Sequence, residues 1–159
     1  ELEAGFSTAR VAELRESVAA MISDSAPVRL DHLRSAVAKR FGRQKTSMRI
    51  NGTIDALIPT ELIHSESPSG EASTTFVWPT AAGPDAWNHV RRSEGRKLPE
   101  IPLGEIACAA RLVLAGQPSL SGEDPDTREK LHRAVLGVFA ISRLTKPAKD
   151  RIDEALGLL

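Results

Sequence analysis

A chain of 159 residues, 41% hydrophobic and 26% charged, has the composition of a globular protein with one domain or two small ones. Its 21 cations and 21 carboxylates cancel, no apolar run approaches the ~18 residues of a membrane span, and the single cysteine, Cys108, excludes an intramolecular disulfide. No basic segment precedes an apolar core at the start, so no signal peptide is expected; a cytoplasmic setting follows, and the missing initiator Met suits a piece of something longer.

Val11, Leu14, Val18 and Ile22 recur at helical spacing behind the cap candidates Ser7 and Thr8, and this pattern runs out before Ser23. Val28 to Leu30 is a short extended piece. Leu33, Ala36, Val37 and Phe41 predict a second helix that stops at Gly42, a residue suited to the left-handed position after a helix C-terminus. Thr46 or Ser47 caps a third helix, with Ile50, Ile54, Leu57 and Ile58 on one face, weakened by Asn51-Gly52 and ended by Pro59. Residues 61–65 and 73–79 are strand candidates around a loop rich in Ser, Pro and Gly, which predicts a hairpin. Helix, short strand, helix, turn, helix and hairpin is the order of a winged helix-turn-helix. Residues 1–78 form this first unit, with a wing at about 61–78 and the third helix placed to enter a major groove.

Residues 79–102, with Pro79, Pro84, Pro99 and Pro102, read as a proline-rich linker. Trp87 within it and Trp78 just upstream predict that it packs down. After Pro102, Leu103, Ile106, Ala110, Val113 and Leu114 open a second unit, 103–159. Asp126 and Glu129 have capping-box spacing for its middle helix, and Pro147 sits in the opening turn of the last. At an offset of 98, Leu33, Ala36, Val37, Phe41, Ile54 and Asp55 fall on Leu131, Ala134, Val135, Phe139, Ile152 and Asp153, the pattern of a duplication. The expected fold is mainly α with short β-hairpins: tandem winged helix-turn-helix units packed together.

Charge is unevenly spread along this frame. Between residues 27 and 49 stand Arg29, Arg34, Lys39, Arg40, Arg43, Lys45 and Arg49, against Asp31 alone. These cations fall on the second helix, the turn and the start of the third helix, with Gln44, Thr46, Ser47 and Asn51 among them. In a helix-turn-helix such positions grip phosphate and face base edges. The DNA-binding candidates are therefore these seven cations with Gln44, Ser47 and Asn51, helped by Arg91, Arg92, Arg96 and Lys97 of the linker. The wing tip, with Glu66 and Glu71, and the last helix, with Asp150, Asp153 and Glu154, would repel phosphate.

Residues 26–58, then Val77-Trp78-Pro79, residues 98–114 and the closing Arg151 to Leu156 resemble the C-terminal domain of unknown function in large bacterial superfamily 1 DNA helicases. In those proteins the domain follows a helicase core and a Vsr-like nuclease domain. The resemblance runs from about Val11 onward, with Glu100-Ile101-Pro102 as its sharpest element. It implies a bacterial DNA-processing setting, in repair or defence, and nucleoid association when bound to DNA. The chain departs from it at Ala140, where the family usually has a glycine ending the middle helix of the second unit.

No catalytic residues come with the resemblance, and the sequence carries no phosphate loop, GxGxxG, HExxH or GxSxG. The spacing of Glu61 and His64 on a strand puts them on opposite faces, which disfavours a metal. Gly122 to Asp126 reads as a turn and helix cap rather than a calcium loop, and Cys108 as a small core residue. No cofactor, catalytic activity or membrane contact is expected. Two readings remain open: an accessory module that holds a helicase or nuclease on duplex, forked or single-stranded DNA, and a module that docks on other protein domains.

Overall fold

Amphipathic periodicity organises the computed structural model, which describes residues 8–159. The chain is mainly helical, with a small three-stranded antiparallel sheet. It divides into two compact units, Glu1–Gly83 and Pro84–Leu159. Among the described residues no helix is long and apolar enough to cross a membrane.

In the first unit α1 spans Thr8–Ser25, three residues beyond the predicted apolar pattern; of its two cap candidates, Ser7 lies outside the described residues. β1, Val28–Arg29, leads directly into α2, Leu30–Arg40. After a turn, α3 spans Met48–Asp55. β2, Ile63–Ser65, and β3, Thr75–Val77, form the expected hairpin in shorter strands, because residues 60–62 and 72–74 each wind into a single 3₁₀ turn. β3 is central: Val77 faces Val28 on one side and Ile63 on the other, and all three β3 residues are buried. Leu14, Val18, Leu33, Val37, Ile54 and Val77 meet in one core, so each helix contributes the apolar face its sequence predicts.

In the second unit α4 spans Leu103–Gly116, α5 Pro125–Val138 and α6 Lys146–Leu156. Its core joins Ile106, Leu131, Val135, Phe139, Ile152 and Ala155. The α5 cap is Asp124, not Asp126: the Thr127 amide donates to Asp124 Oδ1 at 2.9 Å, and Pro125 takes the first helical position, where a missing N–H costs nothing.

The α2–turn–α3 and α5–turn–α6 segments share their local geometry. Gly42, with φ of 76°, follows the Phe41 C-cap, and the Arg43 amide donates to the Ala38 carbonyl at 2.9 Å. Ala140, with φ of 56°, follows the Phe139 C-cap, and the Ile141 amide donates to the Leu136 carbonyl at 3.0 Å. Both turns thus close by the left-handed C-terminal cap, with glycine replaced by alanine in the second. The next helix is capped alike, the Ile50 amide donating to Ser47 Oγ and the Ala148 amide to Thr145 Oγ1, each at 3.3 Å.

Residues 84–102 belong to the second unit and hold to it by polar anchors. Glu105, on the core face of α4, is fully buried. Its carboxylate accepts from the Arg91 amide at 2.9 Å, the Arg91 guanidinium at 3.0 Å and the Arg96 guanidinium at 3.1 Å. Arg151 of α6 donates to the Leu98 carbonyl at 3.1 Å and also to that of Ile101. The buried Cys108 thiol donates to the Trp87 carbonyl at 3.2 Å, which is the small core residue the sequence predicts.

Candidate nucleic-acid interface

Seven cations crowd residues 27–49, and structure sorts them by partner. Arg29 forms a two-point ion pair with Asp31, its Nε 2.7 Å from Oδ1. Arg34 reaches from α2 to Asp55 at the end of α3, with Nε to Oδ1 at 2.9 Å and a second bond from its other nitrogen. Paired in this fork geometry and largely covered, both arginines brace the fold instead of offering charge. Arg40 is exposed but shares a recess with Glu13 and Glu16 of α1.

Lys39, Arg43, Lys45 and Arg49 remain. All four are exposed, and among the described residues none forms an ion pair. Three of them, Lys39, Arg43 and Lys45, line a recess of about 470 Å³ together with Ser35, Gln44 and Thr46. The recess exists because Gly42 turns the chain sharply back at the end of α2, bringing the turn over the last helical turn of α2. It gathers three positive charges with hydroxyl and amide groups and no carboxylate, a combination suited to oxyanions such as phosphate.

The polar candidates divide in the same way. Gln44 is exposed on the recess, whereas Ser47 is occupied in capping α3. Asn51 is half-buried, and its Oδ1 is turned inward without a hydrogen-bond partner among the described residues. Met48, which the sequence does not single out, is 93% exposed on the first turn of α3, beside Arg49. An unpaired cation and an apolar side chain there offer one contact for phosphate or guanine and one for a thymine methyl.

Of the linker cations, Arg91 and Arg96 are bound to Glu105, while Arg92 and Lys97 are exposed. Burial raises the Glu105 pKa, and the hydrogen bonds from Arg96 and Arg91 outweigh it, so the carboxyl lies below its ordinary range and stays charged. Glu105 is the residue sequence reasoning passed over. Its signal was a lone carboxylate on an otherwise apolar helix face, downstream of a cation-rich segment.

The corresponding surface of the second unit is differently charged. Lys146 pairs with Asp150 at 2.8 Å and Arg133 with Glu129 at 2.9 Å. Where Arg34 meets Asp55 in the first unit, His132 Nε2 meets Asp153 Oδ1 at 2.7 Å. The wing tip carries no cation; it is closed by serines, with Ser65 Oγ donating to the Ser67 carbonyl at 2.8 Å. Glu61 lies in a 3₁₀ turn rather than a strand, and its backbone carbonyl lies 3.1 Å from His64 Nε2. Among the described residues no three His, Cys, Asp or Glu side chains gather as a metal site. No family model, curated protein or solved structure matches the chain.

Proposed function

We propose that this protein is a non-catalytic DNA-binding module built as tandem helix-turn-helix units, the first of them winged. It grips the phosphate backbone through the α2–α3 turn. The observation that carries this reading is the division among the cations of residues 27–49: Arg29 and Arg34 are neutralised by carboxylates, while Lys39, Arg43, Lys45 and Arg49 stand exposed around one turn. A surface that only needed solubility would intersperse both signs. Element order supports the winged assignment: β1 pairs with β3 of the hairpin, and α3 follows α2 after a tight turn, as a recognition helix does. Phosphate contacts dominate in this account, so sequence preference is limited and centred on Arg49 and Met48.

The resemblance to the C-terminal domain of superfamily 1 helicases suggests the setting, in which the module holds a helicase or nuclease on its substrate in bacterial DNA repair or defence. Fluorescence anisotropy with labelled duplex, single-stranded and forked DNA tests the reading. Binding at low salt that weakens steeply as salt rises supports it, because cations that neutralise phosphates release counterions. A folded protein that binds none of the three at low salt refutes it.

A further inference from the structure

The second unit carries a cleft that the DNA reading leaves unused. It has a volume of about 500 Å³ and lies between residues 96–99 on one side and the α5–α6 turn with the start of α6 on the other. Leu98, Pro99, Ile141, Pro147 and Ala148 give it an apolar lining. Every charged residue on it is a cation: Arg96, Lys97, Arg143 and Arg151. No lining side chain is a carboxylate; Glu105 neutralises Arg96, and the Glu100 carboxylate accepts from the Lys97 amide at 2.8 Å, so the positive field of the cleft comes from Lys97, Arg143 and Arg151.

The cations have two different duties. Arg96 is held by Glu105, and Arg151 by the Leu98 and Ile101 carbonyls, so these two tie the opposing walls to the fold. Lys97 and Arg143 are exposed, and among the described residues neither forms an ion pair. The cleft is therefore preformed, with an apolar floor and two available charges at its rim. Preformed clefts bind with little ordering cost. DNA phosphate would satisfy the rim but gain nothing from the floor, whereas an acidic peptide with an aliphatic or aromatic side chain satisfies both.

We propose that this cleft binds an acidic peptide segment of a partner protein, seating one apolar side chain between Leu98 and Ile141 while flanking carboxylates pair with Lys97 and Arg143. The site shares no residue with the α2–α3 turn and stands whether or not that turn binds DNA.

The test uses the whole chain and a fluorescein-labelled hexapeptide with a central Leu-Phe pair flanked by aspartates. Saturable binding is expected, with amide shifts in nuclear magnetic resonance spectra at Leu98, Ile141 and Ala148. Replacing the peptide's Leu and Phe by Ser, or changing the protein by Lys97→Glu with Arg143→Glu, is expected to weaken binding about tenfold or more, the loss of one good contact set. Both substituted residues are exposed, so the variant keeps its fold, and an unchanged spectrum elsewhere verifies that. The proposal is overturned if the peptide shifts none of these resonances up to ~1 mM, the weak end of specific recognition. Equal binding of the Ser peptide overturns it as well, because attraction would then be purely electrostatic. So does duplex DNA moving these resonances where the peptide does not.

Discussion

Ala140 holds the left-handed backbone conformation that Gly42 holds at the matching point of the first unit, with φ of 56° against 76°. The two turns are otherwise closed by the same backbone hydrogen bond and followed by the same side-chain cap. A side chain in this conformation is disfavoured by about 1 kcal/mol or somewhat more, through the approach of Cβ to the backbone. Substitutions at the two positions should therefore have opposite signs. Gly42→Ala is expected to destabilise the first unit by about 1 kcal/mol, and Ala140→Gly to stabilise the second by a comparable amount. A Cβ at Gly42 meets no atom within 4 Å, so the effect there is a backbone effect alone. Urea unfolding monitored by circular dichroism measures both; a stabilising Gly42→Ala would show that the turn is built differently.

Gly52 supplies a control of opposite sense within α3. Its φ is not in the left-handed region and open space surrounds the position of a Cβ. Gly52→Ala is expected to stabilise the first unit by about 0.5–1 kcal/mol, the helix-interior difference between the two residues. A loss of stability in the same unfolding assay would contradict the helical placement of this residue.

Acid should act on the second unit through Glu105. Its folded pKa is lowered, so its contribution to stability is complete above the ordinary value of 4.5 and is lost as pH falls through the folded value. Glu105→Gln is expected to cost about 3 kcal/mol near neutral pH, since it leaves Arg91 and Arg96 without their buried counter-charge, and to flatten the dependence of stability on pH below about 4.5. Thermal unfolding between acidic and neutral pH gives both quantities. An unchanged acid limb in the variant would mean that other carboxylates control it.

Arg34 and Lys45 should separate fold from function. Arg34→Ala removes the two-point bond to Asp55 and is expected to destabilise by about 1–2 kcal/mol while leaving DNA affinity little changed. Lys45→Ala touches an exposed cation and is expected to do the reverse, with stability within about 0.5 kcal/mol of the parent. Parallel unfolding and anisotropy measurements on the two variants decide the matter.

These contrasts show where sequence was a sufficient guide. Gly42, Ser47 and Pro147 mark their helix boundaries by local backbone chemistry, which is readable from neighbours in the chain. Asp124 was equally local and was overlooked because Asp126 with Glu129 imitated a capping box; the Pro after Asp124 was the better signal. The strands came out shorter than their apolar runs because 3₁₀ turns precede both, a choice that short polar sequences do not dictate. Within the interface the location of the cations was legible and their availability was not. Whether Arg34 faces solvent or Asp55 depends on how α2 crosses α3, and whether Arg91 and Arg96 are free depends on Glu105 of another element. Such pairings are tertiary and leave no periodic trace.

The most direct test of the central claim is the salt dependence of duplex binding for the parent protein, the Arg43→Ala, Lys45→Ala, Arg49→Ala triple variant and Arg34→Ala. Four exposed cations that each neutralise a phosphate predict a log-log slope of about −3.6 for the parent. The triple variant should flatten to about −1, while Arg34→Ala keeps the parental slope because its charge already belongs to Asp55. A triple variant with the parental slope, or a parent that does not bind duplex at low salt, would contradict the account.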